Sequence, residues 1–224
     1  MVSDHTADEV EQQYLEKMGA ELGAIFHALW NEVVRLHANW QEYRTLYGTS
    51  EAEIAVLNET APFFFRVVQD SLWEGTLLHL CRLTDPSRIG KRENLTLSRL
   101  PACIDDPELR ARIDALITRA MLTTDFARDS RNRHIAHNDL ALAVDAQAEP
   151  LKAGSRKRVE DALSAIRETM NEIDRHFRGS EVGYQHFMTG YGRADALIYH
   201  LRESIEKERK ERRDLGVEDD AATS

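Results

Sequence analysis

Apolar residues recur every three or four positions along most of this chain, the period of a helix that buries one face. The first stripe covers about residues 7–47, through Val10, Tyr14, Met18, Leu22, Ile25, Leu29, Val33, Leu36, Trp40 and Tyr43, and Gly48 supplies its stop. Ser50 and Glu53 have the spacing of a capping box for a second helix, which Pro62 must interrupt or kink. From Pro62 the pattern resumes through Phe65, Val68, Leu72, Leu77 and Leu80 to Leu83, and "TDP" ends it. Residues 85–95 read as a polar, basic loop leading to a short apolar segment, "LTLSRL". Asp106 followed by Pro107 is a helix start, an N-cap and a first-turn proline, and that helix is expected to continue to about Leu142. A loop, "DAQAEPLKAGS", precedes two more helical patterns near 156–178 and 190–213. There is no sustained two-residue alternation, no Asn-Gly or Asp-Gly hairpin and no internal repeat. The pattern predicts an all-α fold, a bundle of long antiparallel helices. One domain is expected over 1–213, with a flexible acidic tail over 214–224.

Composition narrows the partners more than the fold. The chain has 224 residues, a formal net charge of −10, 30% charged and 42% hydrophobic residues, which is the profile of a globular protein able to bury a core unaided. An acidic balance excludes broad binding to duplex DNA but leaves room for a local basic site. Cys81 and Cys103 stand in no metal-ligand spacing and sit beside apolar residues, so both read as buried, reduced thiols of a cytoplasmic protein. The N-terminal segment lacks the features of a signal peptide. The greasiest stretch, "APFFFRVV", is far short of the ~20 residues of a membrane span, so no membrane partner is expected.

The chemistry concentrates in residues 130–139, "SRNRHIAHND", where Arg131, Arg133, His134 and His137 crowd two turns. On a continuous helix from Pro107 the core stripe is Ile113, Ile117, Ala120, Thr124, Ala127, Arg131, Ile135, Asn138 and Leu142. Arg131 falls in the middle of it, which is costly unless the guanidinium is paired or faces a cleft. Glu74 and Asp70 are candidate partners for it or for Arg128. His137 follows six residues later, about 120° around the axis and about 9 Å along it, so the two side chains of one straight helix do not converge. They converge if the helix bends, or if two copies meet across a twofold axis. The residues alone leave open a solvated charge cluster and a buried structural arginine. His134, His137 and Asp139 have the types of metal ligands, but Arg128, Arg131 and Arg133 would repel a cation, and neither a metal nor a cofactor is expected.

The order "RLTDP", "NLTLSRL" and then Arg131-Asn132-x4-His137 resembles the R-x(4–6)-H signature of the HEPN superfamily, in its AbiU-type abortive-infection branch, most clearly over residues 63–140. The resemblance implies a compact helical homodimer with its motifs meeting at the interface. It also implies a metal-independent endoribonuclease of phage-defence or toxin–antitoxin type, with RNA as substrate and an antitoxin protein as a further partner. Arg131, Asn132 and His137 would be its catalytic residues. Arg133 stands where a lysine is more usual, and a second frame, Arg128-x5-His134, overlaps the first. The competing reading is a non-catalytic HEPN dimer that binds a nucleotide or a partner protein.

RNA carries its own nucleophile, the 2′-hydroxyl, so cleavage needs a base, an acid and positive charge on the phosphorus. Histidine, with an ordinary pKa of about 6.5, serves either proton role, and arginine offers a fixed charge and a planar fork. The expected products end in a 2′,3′-cyclic phosphate and a 5′-hydroxyl. Arg88, Lys91 and Arg92, together with Arg128, Arg133 and His134, are the candidate RNA-binding residues, and Arg99 adds to the local charge. "GYGRAD" at 190–195 reads as a helix start, "EKERKERRD" as a solvated helix end, and Trp30, Trp40 and Trp73 as core or dimer contacts. His79 and His200 read as core histidines.

Overall fold

A computed structural model describes residues 7–145, 147–186 and 192–215. The first stripe folds as two helices, α1 (Ala7–Met18) and α2 (Ala20–Tyr47), parted at Gly19, whose φ of +80° is a left-handed conformation that suits glycine. A Cβ at Gly23 would lie 2.6 Å from the Tyr14 carbonyl oxygen and 2.8 Å from the Leu15 Cα, so only glycine lets α2 pass this close to α1. Ser50 caps α3 (Glu51–Thr60), its Oγ accepting from the Glu53 N–H at 3.3 Å. Pro62 interrupts rather than kinks. The residue before it, Ala61, is extended at φ −160°, and Pro62 opens a new helix, α4 (Pro62–Thr84).

The basic loop contains a small antiparallel ribbon, β1 (Arg88–Ile89) and β2 (Arg92–Glu93), turning through Gly90 at φ +61°. The apolar segment after it forms a 3₁₀ helix, Leu97–Cys103. Asp106 caps α5 (Pro107–Thr123), with Oδ1 accepting from the Glu108 and Leu109 amides at 2.9 and 3.3 Å. The expected single helix to Leu142 is absent. In its place are α5, α6 (Asp125–Ser130), a π-turn (Arg131–Ile135) and a short α7 (Leu140–Val144). Then come α8 (Arg156–Arg178), closed by Gly179 at φ +63°, a 3₁₀ turn Tyr184–His186, and α9 (Ala194–Asp214). The fold is all-α apart from the ribbon. Most of the predicted tail, 216–224, lies outside the described residues, as do residues 190 and 191 of "GYGRAD".

The chain divides into two compact units, Met1–Ala38 with Glu74–Phe187, and Asn39–Trp73 with Met188–Ser224. In the first, α5 packs along α8, and Leu109, Ile113 and Ile117 are buried, as are Val159, Leu163 and Ile166. Each such side chain contributes about 1.5–3 kcal/mol by leaving water. In the second, Leu46, Leu57, Phe65, Ala194 and Ile198 form the core. Tyr43 stacks on Trp40 with ring centres 5.1 Å apart and lies 5.5 Å from Trp73. Glu42 caps α9 from a distance in sequence, Oε2 accepting from the Ala194 amide at 2.8 Å. Trp40 is buried and Trp30 and Trp73 are half-buried. Cys81 is buried, whereas Cys103 is only partly so, and both are free thiols. His79 is largely covered and faces Glu32 at 3.4 Å, but His200 is exposed on α9 and is not a core residue. Among the described residues no helix is long and apolar enough to cross a membrane.

Candidate functional site

The motif lies where the chain stops being a regular helix. At Thr123 and Thr124 two consecutive hydroxyls bond the Ala120 carbonyl, at 3.0 and 2.9 Å, and such bonds compete with the helix ladder. Thr124 leaves α-helical geometry (φ −96°, ψ 3°), and α6 restarts with the Ala127 and Arg128 amides both on the Thr124 carbonyl. The helix then widens. Ala136 N–H donates to the Arg131 carbonyl at 2.8 Å, five residues back, which is the π-turn. Asp139 caps α7 through the Ala141 and Leu142 amides. His137 therefore sits on a turn, and the divergence of Arg131 and His137 calculated for a straight helix does not apply.

One side of the motif is held by the end of α4. Arg131 Nη1 donates to Asp85 Oδ2 at 2.6 Å and its Nε to Asn132 Oδ1 at 3.0 Å. Arg128 reaches the same turn, Nη2 donating to the Thr84 carbonyl at 3.2 Å and to Thr84 Oγ1 at 3.1 Å, with Nε 3.8 Å from Asp85 Oδ1. Thr84 Oγ1 also meets Thr124 Oγ1 at 2.9 Å, so the helix break and the anchor share one buried hydroxyl pair. Asp85 is the partner that neither Glu74 nor Asp70 supplies; Asp70 pairs with Arg66 at 3.0 Å instead. The Arg131 side chain is 23% exposed and that of Asp85 15%, so the pair is desolvated enough to be directional yet reachable. Cys81, one turn back on α4, is fully buried. Burial pushes its thiol up to about 11 against the pull of the two guanidiniums.

The other side is held by the segment after α7. Arg133 Nη2 donates to the Glu149 carbonyl at 2.7 Å, with Asp129 at 3.7 Å and Asp139 at 3.4 Å. Asp129 accepts from the Lys152 amide at 2.7 Å, and the Lys152 ammonium bonds Asp125. The Asp139 carboxyl is held below the usual range by the Leu142 amide and its other donors, and that of Asp125 by the Lys152 ammonium. The three arginines thus face Asp85, Asp129 and Asp139 rather than forming a bare positive cluster.

Asn132, His134 and His137 are exposed, and neither imidazole has a hydrogen bond or ion pair among the described residues. Arg88, Lys91 and Arg92 are exposed on the ribbon. Its base is tied by Arg99, whose Nη2 donates to the Ser87 carbonyl at 3.1 Å and meets Glu93 at 3.2 Å. Arg99 is accordingly a structural cation. Three peptide units part Arg88 from Asp85, so their Cα atoms lie at most about 11 Å apart. The structure brings Arg128, Arg131, Asn132 and Asp85 together and sets the ribbon cations at the next turn of chain. Asp85 and Thr84 were the residues not singled out as functional, although "RLTDP" contained both.

The family model for HEPN AbiU2, described as AbiU2, matches residues 19–195, well over half the chain. The chain belongs to the HEPN AbiU2 family, a family of abortive infection. No curated protein and no solved structure matches it.

Proposed function

We propose that the chain is a metal-independent endoribonuclease of phage-defence or toxin–antitoxin type, acting as a cytoplasmic homodimer with RNA as substrate and an antitoxin protein as a controlling partner. The observation that carries this reading is a half-buried guanidinium, oriented by Asp85 and Asn132, next in sequence to exposed imidazoles with no partner among the described residues. In the reaction a histidine takes the 2′-hydroxyl proton as that oxygen attacks phosphorus. The P–O5′ bond breaks, and a second histidine protonates the departing 5′-oxygen. His137 from each of two copies fills these two roles, which one chain's motif alone does not. Arg131 binds the non-bridging oxygens, where negative charge grows, and Asn132 holds Arg131 at that angle. Arg88, Lys91, Arg92 and His134 contact the strand, while Arg128 and Arg133 add to the field. Leu122, Leu140 and Val144, at 71%, 74% and 74% exposure, flank the motif and support a face that a second copy covers.

The test is incubation of end-labelled RNA with the purified chain in excess EDTA, beside His137→Ala, with the product ends identified. Cyclic-phosphate ends made by the parent alone support the reading. The second reading, a non-catalytic dimer that binds a nucleotide or a partner protein, draws on the same Asp85 contact, because that carboxylate offsets the charge Arg131 would bring to a phosphate. Intact RNA from a folded dimer would favour it.

A further inference from the structure

Two overlapping frames, Arg128-x5-His134 and Arg131-x5-His137, compete for the role of working motif, and one carboxylate touches both arginines. A guanidinium has five N–H donors on three nitrogens, in forks that can each grip a phosphate or carboxylate. For Arg128, Nη2 is shared between the carbonyl and hydroxyl of Thr84 and Nε faces Asp85, so the fork on that edge is filled from within the chain. For Arg131, Nε is on Asn132 and Nη1 on Asp85, and Nη2 has no hydrogen bond among the described residues. Nη2 is the nitrogen common to both forks. With its two neighbours fixed by different residues, it is held at the corner left open between them.

We infer that Asp85 is a positioning residue that selects the frame. It turns Arg131 so that Nη2 points to a phosphate oxygen, and together with Thr84 it ties Arg128 into the fold. The working pair is then Arg131 and His137, and Asp85 acts through Arg131 without touching RNA. Two features besides the distances favour orientation over simple neutralisation. Asp85 Oδ2 bonds Nη1 at 2.6 Å from a side chain only 15% exposed, which fixes the carboxylate as well as the arginine. Asp85 also directly follows the last residue of α4, where Thr84 is buried and in hydrogen-bond contact with Thr124, so the anchor is tied to the buried part of the unit.

The kinetic part of this inference rests on the ribonuclease reading, and the binding part does not. Four variants, Asp85→Asn, Asp85→Glu, Thr84→Val and Arg131→Ala, with Arg128→Ala beside them, separate the possibilities. The readouts are kcat and KM on end-labelled RNA, thermal midpoint, and the salt dependence of binding to a short single-stranded 2′-O-methyl oligonucleotide, which lacks the nucleophile. Asp85→Asn is expected to lower kcat about 10- to 100-fold with little change in KM, as misplacement of a reacting group does. Asp85→Glu is expected to restore part of the loss. Thr84→Val is expected to lower the thermal midpoint at least as far as Asp85→Asn does but kcat less, whereas a merely structural role for Asp85 would make the two losses run in parallel. Arg131→Ala is expected to flatten the binding slope by about 0.7, one phosphate contact on a single strand. An Asp85→Asn chain as active as the parent, or more so, overturns positioning in favour of masking. A slope flattened by Arg128→Ala and left intact by Arg131→Ala reverses the frame. If the parent binds with the expected slopes yet never cleaves, the ribonuclease reading falls and the frame assignment stands. A parent that neither cleaves nor binds overturns both.

Discussion

Arg131 lies on the stripe that buries Ile113, Ile117 and Ala127, and its guanidinium is matched there by Asp85 at 2.6 Å and Asn132 at 3.0 Å. On the proposed reading, truncating it removes charge from the transition state. Arg131→Ala is expected to cut cleavage by about 10²–10³ with the far-ultraviolet circular dichroism unchanged. Collapse of the spectrum would make the residue structural. A second residue-scale prediction concerns Asp174, fully buried on α8 beside Arg178 at 3.1 Å. Burial raises its carboxyl from the ordinary 3.8 to about 6, with Arg178 only partly opposing the shift. Between those two values the unfolded chain has lost the proton and the folded chain keeps it. Stability from this group is therefore full below pH 3.8 and declines until pH 6. Asp174→Asn should abolish that decline, leaving the variant better placed above pH 6 than below pH 4 relative to the parent, by roughly 3 kcal/mol at most. Urea titrations of both chains across this range decide it, and parallel curves would refute the assignment.

At the scale of elements, the same stripe shows what could be read in advance. The caps at Ser50 and Asp106 were legible because each depends on one local side chain, and α2 ends at Tyr47, just before the expected stop at Gly48. The break at Thr124 was not legible. Beside its local bond to the Ala120 carbonyl, the Thr124 hydroxyl meets Thr84 of α4, forty residues away, and periodicity carries no information about that partner. The arginine in the core stripe was visible, but its partner was sought along α4 at Glu74 and Asp70, because a charge at a helix end reads as punctuation. Gly23 makes the point with an opposite sign. On propensity alone Gly23→Ala should gain about 1 kcal/mol, yet the new Cβ would lie 2.6 Å from the Tyr14 carbonyl. Backbone cannot yield as a side-chain tip can, so the variant is expected to lose about 1–3 kcal/mol in urea. A gain would mean that α1 moves freely.

For the molecule as a whole, the all-α class followed from periodicity, the family resemblance was carried by motif order over residues 63–140, and family membership rests on the family model that matches residues 19–195. The proposed association of two copies would leave a weaker trace, since an interface reads as ordinary exposed surface until its partner is present. Leu140 and Val144 are four residues apart on a short helix held mainly by polar contacts, and both are largely exposed. Leu140→Glu combined with Val144→Glu is expected to convert a dimer to a monomer in sedimentation velocity and to remove cleavage with it. An unchanged dimer would place the interface elsewhere. The central claim, that Arg131 and His137 cleave RNA without a metal, is tested most directly by end-labelled RNA in excess EDTA with parent, Arg131→Ala and His137→Ala chains. The account predicts 2′,3′-cyclic phosphate and 5′-hydroxyl ends from the parent and intact RNA from both variants. Cleavage by the His137→Ala chain at the parent's rate, or none by a folded, dimeric parent, would contradict it.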